Sequence, residues 1–293
     1  MEFFPDGHHV RLRSRVHGAY LHAEEDGVGV SLRPRRARAS LGAAWLVRRI
    51  LRDGTTCFLL QGAAYGRYLV ASLAAAPPGH RGRLVGVRDH NAEEIDAMVW
   101  KAVRAGDGDY VLVRNVSNDL LRANGRYRPW LTGVTVDEYA NLSTMMHWVV
   151  EAIPMRATPL PIPGEIQEEF FLGPPLTGLF AGLLRRWRGE PPVGQRTIRF
   201  VRTDPYGNFD EAAWSTFQFE GRSVFRLKME LAQRVGEAVF FFAMVACVRA
   251  GLHGGLIPLS VDLPRSGETM DIVMLTIGTP AAAELRHPDI DAP

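Results

Sequence analysis

Cysteine, lysine and long apolar runs are all scarce in this 293-residue chain, and each shortage closes off a class of protein. The two cysteines, Cys57 and Cys247, fall in different halves and inside apolar runs, so they read as buried thiols rather than a disulfide pair. The longest apolar stretch, AVFFFAMVACV at 238–248, is too short to span a bilayer as a helix. The opening MEFFPDGHHVRLR lacks the basic-then-apolar order of a signal peptide. A soluble protein of the cytoplasm is expected, with the nucleus also open. Nearly all of the 34 basic residues are arginine, and the formal net charge is only +2. Residues 1–153 hold 20 basic against 16 acidic side chains, too mild an excess for nucleic acid, so no DNA partner is expected.

Signatures of catalysis are missing as well. There is no P-loop, GxSxG elbow, HExxH or paired-cysteine metal motif. The lone GVGV at 27–30 sits in a strand pattern with no helix after it, and reads as turn glycine rather than a dinucleotide site. His8, His9, His17 and His22 cluster in sequence but read as exposed turn histidines, and Glu24, Glu25 and Asp26 as solvated loop carboxylates. The expectation is a non-catalytic chain with no cofactor and no metal.

What the sequence does contain is a repeat. Three gapless fourteen-residue windows align: VRLRSRVHGAYLHA (10–23), FLLQGAAYGRYLVA (58–71) and YVLVRNVSNDLLRA (110–123). The first column is Val10, Phe58 and Tyr110, and the third is Leu12, Leu60 and Leu112. These residues share a strand face, because strand side chains alternate. The ninth column is Gly18, Gly66 and Asn118, the residue types that most readily accept the positive φ of a tight hairpin turn. Leu21, Leu69 and Leu121 follow, then Ala23, Ala71 and Ala123. Tyr20 and Tyr68 become Leu120 in the third copy, so no hydroxyl chemistry is kept across the repeats.

A second set of anchors closes each unit. Ala43-x-Trp45-x-Val47, Met98-x-Trp100-x-Ala102 and Met146-x-Trp148-x-Val150 each place apolar residues on one strand face. Between window and Trp, GVGVSLRP, residues 79–89 and RPWLTGVTV each supply a short third strand. Four strands per unit and three units predict about twelve short strands and a closed barrel with threefold symmetry, a β-trefoil, rather than a propeller, which needs more blades.

The recurring GxYL phrase on this frame resembles the fascin-type, actin-crosslinking β-trefoil. The opening MEFFPDGHHVRLRSRVHGAYLHAEEDGVGVSL resembles the start of a plant family built on that trefoil, the domain-of-unknown-function 569 family. RTIRFVRTDPYGNFDEAAWSTFQFEGRSVFRLKMELAQRVG resembles the second segment of the same family. The resemblance covers 1–153 and roughly 195–290, and it implies filamentous actin as a partner.

After residue 153 the chain becomes proline-rich, with Pro at 154, 159, 161, 163, 174 and 175, and residues 154–194 read as a linker. Within it, LTGLFAGLLRRWRG (176–189) could dock on a domain or lie on a membrane surface. Residues 195–293 read as a small α+β domain. TIRFV and STFQFEG are strands, and Ser223 caps a helix bearing Val224, Leu227, Leu231 and Val235, which stops at Gly236. FFFAMVACV, IPLSVDLP and MDIVMLTIG read as three further strands. The order ββαβββ is compatible with a β-grasp, ubiquitin-like domain.

The best candidate for a functional surface is the basic run RPRRAR, with Arg33, Arg35, Arg36 and Arg38, in the connection between the third and fourth strands of unit one. It fits an acidic partner such as the actin surface, a phosphoinositide headgroup or RNA phosphate, and it also fits a plain solvated loop. Bundling needs two filament sites and this chain has one trefoil, so binding without bundling is expected. The alternative is a trefoil that binds phosphoinositide, carbohydrate or a protein ligand in a regulatory or stress-related role. Ricin-type lectins carry Gln two residues before each Trp; here Ala43, Met98 and Met146 stand there.

Overall fold

The computed structural model describes residues 3–91, 95–106, 109–125, 133–163, 195–236 and 240–292. The stretch 176–189 and most of the proline-rich linker lie outside the described residues. The described residues form two compact units: 1–159 with 247–258 and 284–293, and 160–246 with 259–283.

The first unit holds twelve strands before residue 154, four per repeat. They are β1 (His9–Ser14), β2 (Tyr20–Ala23), β3 (Val30–Arg33), β4 (Trp45–Arg52), β5 (Thr55–Gly62), β6 (Tyr68–Ala75), β7 (Arg83–Arg88), β8 (Trp100–Arg104), β9 (Val111–Asn115), β10 (Leu120–Ala123), β11 (Val134–Asp137) and β12 (Trp148–Ile153). Six of them close on one another. β1 pairs with β4, β4 with β5, β5 with β8, β8 with β9, β9 with β12, and β12 with β1. That cycle leaves no free edge, which is how a small sheet avoids exposing unpaired backbone. The hairpins β2–β3, β6–β7 and β10–β11 cover one end. β7 joins β11 directly, and the bridge Gly29↔Gly86 ties the first cap to the second. This is the β-trefoil that the repeat predicts.

The interior is built from the repeat columns. Trp45, Trp100 and Trp148 are each 0% exposed and lie in one core cluster with Leu21, Leu69 and Leu121. A buried indole N–H needs an acceptor, and all three find the same one. Nε1 of Trp45, Trp100 and Trp148 donates to the carbonyl of Leu21, Leu69 and Leu121 at 3.1, 3.0 and 2.9 Å. A tryptophan buries about 150–250 Å², so each contributes at most roughly 4–6 kcal/mol of apolar burial. The turn column behaves as its residue types require: Gly18, Gly66 and Asn118 have φ of 61°, 72° and 68°.

The third repeat differs from its gapless alignment. The Trp partners are Val10, Phe58 and Val111, so the first column belongs to Val111 and not Tyr110. The turn before Asn118 is one residue shorter: Gly18 and Gly66 donate to the carbonyls four residues back, Ser14 and Gly62, whereas Asn118 donates to Asn115. One residue of slip exchanges the two faces of a strand. Hence Val111 and Val113 fill the main core, and Leu112 packs outward against Leu120 and Met146.

The second unit holds β13 (Gln195–Arg202), β14 (Ser215–Glu220) and β17 (Met270–Thr276), while β15 (Met244–Arg249) and β16 (Leu256–Pro258) pair antiparallel with each other through residues 247–258. β13 runs antiparallel to β14 and parallel to β17. The helix Val224–Arg234 is capped by Ser223, whose side chain accepts from the Arg226 N–H, and it buries Val224, Leu227 and Leu231. Gly236 follows with φ 73°. Phe240–Ala243, expected as the start of a strand, is a short helix, and β15 begins only at Met244.

Candidate functional site

The basic run sits on a short 3-10 turn, Arg35–Ala39, opened by Pro34 and closed by Ser40. Proline fixes the entry, and backbone bonds from Ala37 N–H to the Pro34 carbonyl and from Ser40 N–H to the Ala37 carbonyl set the curl. The exit is held by Ser40, whose hydroxyl lies 3.1 Å from Nε2 of His22. Gly42 follows against His22: a Cβ there would come within 2.4 Å of the imidazole ring.

The four arginines divide into two pairs. Arg33 is bound by both carboxylate oxygens of Glu24, which also accepts from Ser31. Burial works against the charge on Glu24, but bonds from His22, Arg33 and Ser31 outweigh it and hold the carboxyl below the usual range. Glu24 is therefore a half-buried anchor, not the solvated loop residue its position suggests. Arg38 donates to the Ala292 carbonyl and lies 3.8 Å from Glu151. Glu151 also takes Arg13 at 2.5 Å and the Tyr20 hydroxyl at 3.0 Å. Arg35 and Arg36, between these anchors, are exposed and have no ion-pair partner among the described residues. A fixed loop thus presents two guanidinium groups to solvent.

Other candidates resolve differently. His9, expected in an exposed turn, lies in β1 at 1% exposure with neither ring nitrogen hydrogen-bonded among the described residues. Burial, with His287, Arg48 and His8 nearby, pushes its pKa down to about 3. His22 is half-buried in β2, while His17 lies near the turn and His8 is exposed. Among the described residues no group of three or more His, Cys, Asp or Glu is placed to hold a metal, and no helix is long and apolar enough to cross a membrane. Cys57 and Cys247 are free and buried, and burial pushes the Cys247 thiol up. Ala43, Met98 and Met146, two residues before each Trp, are fully buried and so face no ligand.

One feature escaped the sequence reading. An open cleft of ≈ 640 Å³ lies between β7 and the third repeat, lined by Arg81, Arg83, Asp119, Asp137, Glu138 and Asn141 among others. Arg83 pairs with Asp119, and Arg122 with Asp137. Asp137 also accepts from the Asn141 amide at 3.0 Å, and Asn141 accepts from Arg81 at 2.9 Å. Arg83 and Arg81 stand 36 and 60 positions before their partners Asp119 and Asn141 and join no motif, so only the closed barrel reveals the cleft. The two Tyr hydroxyls are also both used: Tyr20 on Glu151, and Tyr68 accepting from the Gly255 N–H at 2.9 Å.

The family models agree with this architecture. Residues 1–151 match the family model of a beta-trefoil domain of unknown function (DUF569), and residues 194–275 match that of the DUF569 associated ubiquitin-like domain. No curated protein matches the sequence. Among solved structures, Cry35Ab1 aligns with TM-score 0.40 and 11% identity, over 54% of this chain and 39% of its own length. The Macrolepiota procera ricin B-like lectin in complex with lactose aligns with TM-score 0.39 and 16% identity, over 50% of this chain and 96% of its own. The designed 3-fold symmetric protein ThreeFoil aligns with TM-score 0.40 and 20% identity, over 50% and 99%.

Proposed function

The chain belongs to the DUF569 family, and from that premise we propose that it is a non-catalytic binding protein whose partner is an acidic protein surface of the filamentous-actin kind. One observation carries the reading: Arg35 and Arg36 stand exposed on a turn whose flanking arginines are tied down by Glu24 and the Ala292 carbonyl. A turn held at both ends loses little conformational freedom on binding, and guanidinium groups pair with carboxylates in a fixed geometry. Contacts of this sort steer association and weaken with salt.

The test is cosedimentation of the full chain with actin filaments across a salt series. The full chain is needed because residues 247–258 and 284–293 belong to the trefoil unit. Pelleting above control at low salt, lost in an Arg35→Glu/Arg36→Glu variant, is the expected result. Pelleting that ignores both substitutions, or none at low salt, rejects the partner.

A second reading is a small polyhydroxylated ligand, favoured by the ≈ 640 Å³ cleft with its carboxylates, amide and guanidinium groups. Its test is a glycan array, in which Asp137→Asn should abolish any signal.

A further inference from the structure

Arg11 is the most unusual side chain in the trefoil unit. It lies in β1 on the outer face of the barrel, where the matching residues of the other repeats are Leu59 and Leu112. It is 0% exposed, and no carboxylate lies within ion-pair distance of it among the described residues. Its Nε donates to the Arg38 carbonyl at 2.9 Å and its Nη2 to the Ile290 carbonyl at 2.7 Å, while Nη1 has no partner. An enclosed guanidinium with an unused N–H is costly, so something acceptor-rich must cover it.

The cover is residues 284–292 of the same chain. Around His287–Asp289 this segment runs antiparallel to the stretch after β12: Met155 bridges Pro288, Arg156 N–H donates to the His287 carbonyl at 2.8 Å, and Asp289 N–H donates to the Pro154 carbonyl at 2.8 Å. Pro288 is buried. Arg156 lies 3.9 Å from Asp289 and 3.3 Å from Asp291, and Arg38 donates to the Ala292 carbonyl. Thus the strip pairs by backbone over His287–Asp289 and then turns through Ile290 and Asp291, with the Ala292 N–H donating to the Asp289 carbonyl; Arg11 and Arg38 hold carbonyls of the turn, and Arg156 holds its two aspartates. Backbone pairing and the Arg11 and Arg38 bonds to carbonyls give affinity without sequence, and Arg156 adds a demand for acidic side chains.

We infer that this groove, formed by Arg11, Arg38, Arg156 and the edge Pro154–Arg156, is a binding site for acidic peptides of the Pro-Asp-aliphatic-Asp type that pair along that edge and then turn, and that residues 284–292 occupy it in place of a partner's peptide. An internal strip of this kind competes by effective concentration, so a partner's segment enters only when the strip is released. The exposed Arg35 and Arg36 stand on the same turn as Arg38, so release also frees Arg38 for the same partner. The inference is independent of the actin reading, since peptide binding and cosedimentation have separate readouts.

The probe is a dye-labelled, acetylated and amidated peptide of residues 284–292, measured by fluorescence anisotropy. The full chain and an Asp289→Lys/Asp291→Lys variant are compared, each with its folding checked by circular dichroism. The released variant should bind the peptide at least tenfold more tightly than the unsubstituted chain, and adding Arg11→Leu/Arg156→Glu should remove that binding. Equal binding by both chains, binding that survives the arginine substitutions, or no binding by a folded variant would overturn the inference. Should the variant not fold, hydrogen exchange on the unsubstituted chain decides. Excess peptide should speed exchange of the Asp289 amide; an unchanged rate at saturating peptide contradicts the groove.

Discussion

The first and third repeats of the trefoil share an interior and differ outside. Both place a fully buried Trp on a Leu carbonyl, at 3.1 and 2.9 Å, and both turn their first hairpin through a residue at positive φ. On the outer face the first repeat carries Arg11, Tyr20 and Arg38, the last two meeting Glu151 of β12, where the third carries Leu112 packed on Leu120 and Met146. Barrel closure dictates the inward positions, so every copy must remake them. The outward positions answer to no such demand, and there the first repeat has acquired charge and hydrogen-bonding capacity. The lesson is that repetition marks the scaffold, and departure from it marks the candidate surface.

The largest expected effect breaks the shared half. Trp45→Ala and Trp148→Ala should each cost about 3–5 kcal/mol by denaturant unfolding, and the two should agree within about 1 kcal/mol. A marked difference would show that the repeats do not carry the core equally. Next comes the pH effect of His9 in the first repeat; burial lowers the pKa of His90 and His147 in the other two as well, in the same direction. Folding lowers the His9 pKa from 6.5 to about 3, so the unfolded chain binds a proton that the folded chain refuses across that window. Stability therefore rises with pH from about 3 to 6.5, by at most ~1.4 kcal/mol per pH unit from this group. His9→Met should flatten that slope in melts taken at successive pH values. Gly18→Val should cost about 1–2 kcal/mol from its φ alone, since a Cβ there meets nothing within 4 Å. Asn118→Gly, at the matching turn, should change the thermal midpoint hardly at all.

Smaller still are the outward changes. Arg11→Leu installs the residue type of the other two repeats, and the barrel should keep its stability within about 1 kcal/mol. Limited proteolysis at 284–292 should nevertheless accelerate. Arg35→Glu/Arg36→Glu should leave unfolding within about 0.5 kcal/mol of the parent, because neither side chain is buried.

This comparison also explains what the sequence disclosed. The Trp, Leu and turn columns were legible because the interior admits few substitutes. The shortened third turn was not: Tyr110 and Leu112 are apolar, so a gapless alignment looked as good as the true one, and only the Trp148↔Val111 pairing exposes the slip. The helix at Phe240–Ala243 was hidden by an aromatic run that mimics a strand. In the basic run all four arginines looked alike, since nothing in the spacing reveals that Glu24 and the Ala292 carbonyl hold two of them. Residues 284–292 gave no signal, because backbone groups make most of their hydrogen bonds and backbone leaves no sequence pattern.

Hydrogen exchange of the full chain with and without actin filaments tests the central claim most directly. Slowed exchange over 33–40 of the first repeat, with 138–146 of the third unchanged, is the predicted result. Protection of 138–146 alone, or of neither at saturating filament, would contradict the assignment of binding to the first repeat's outer face.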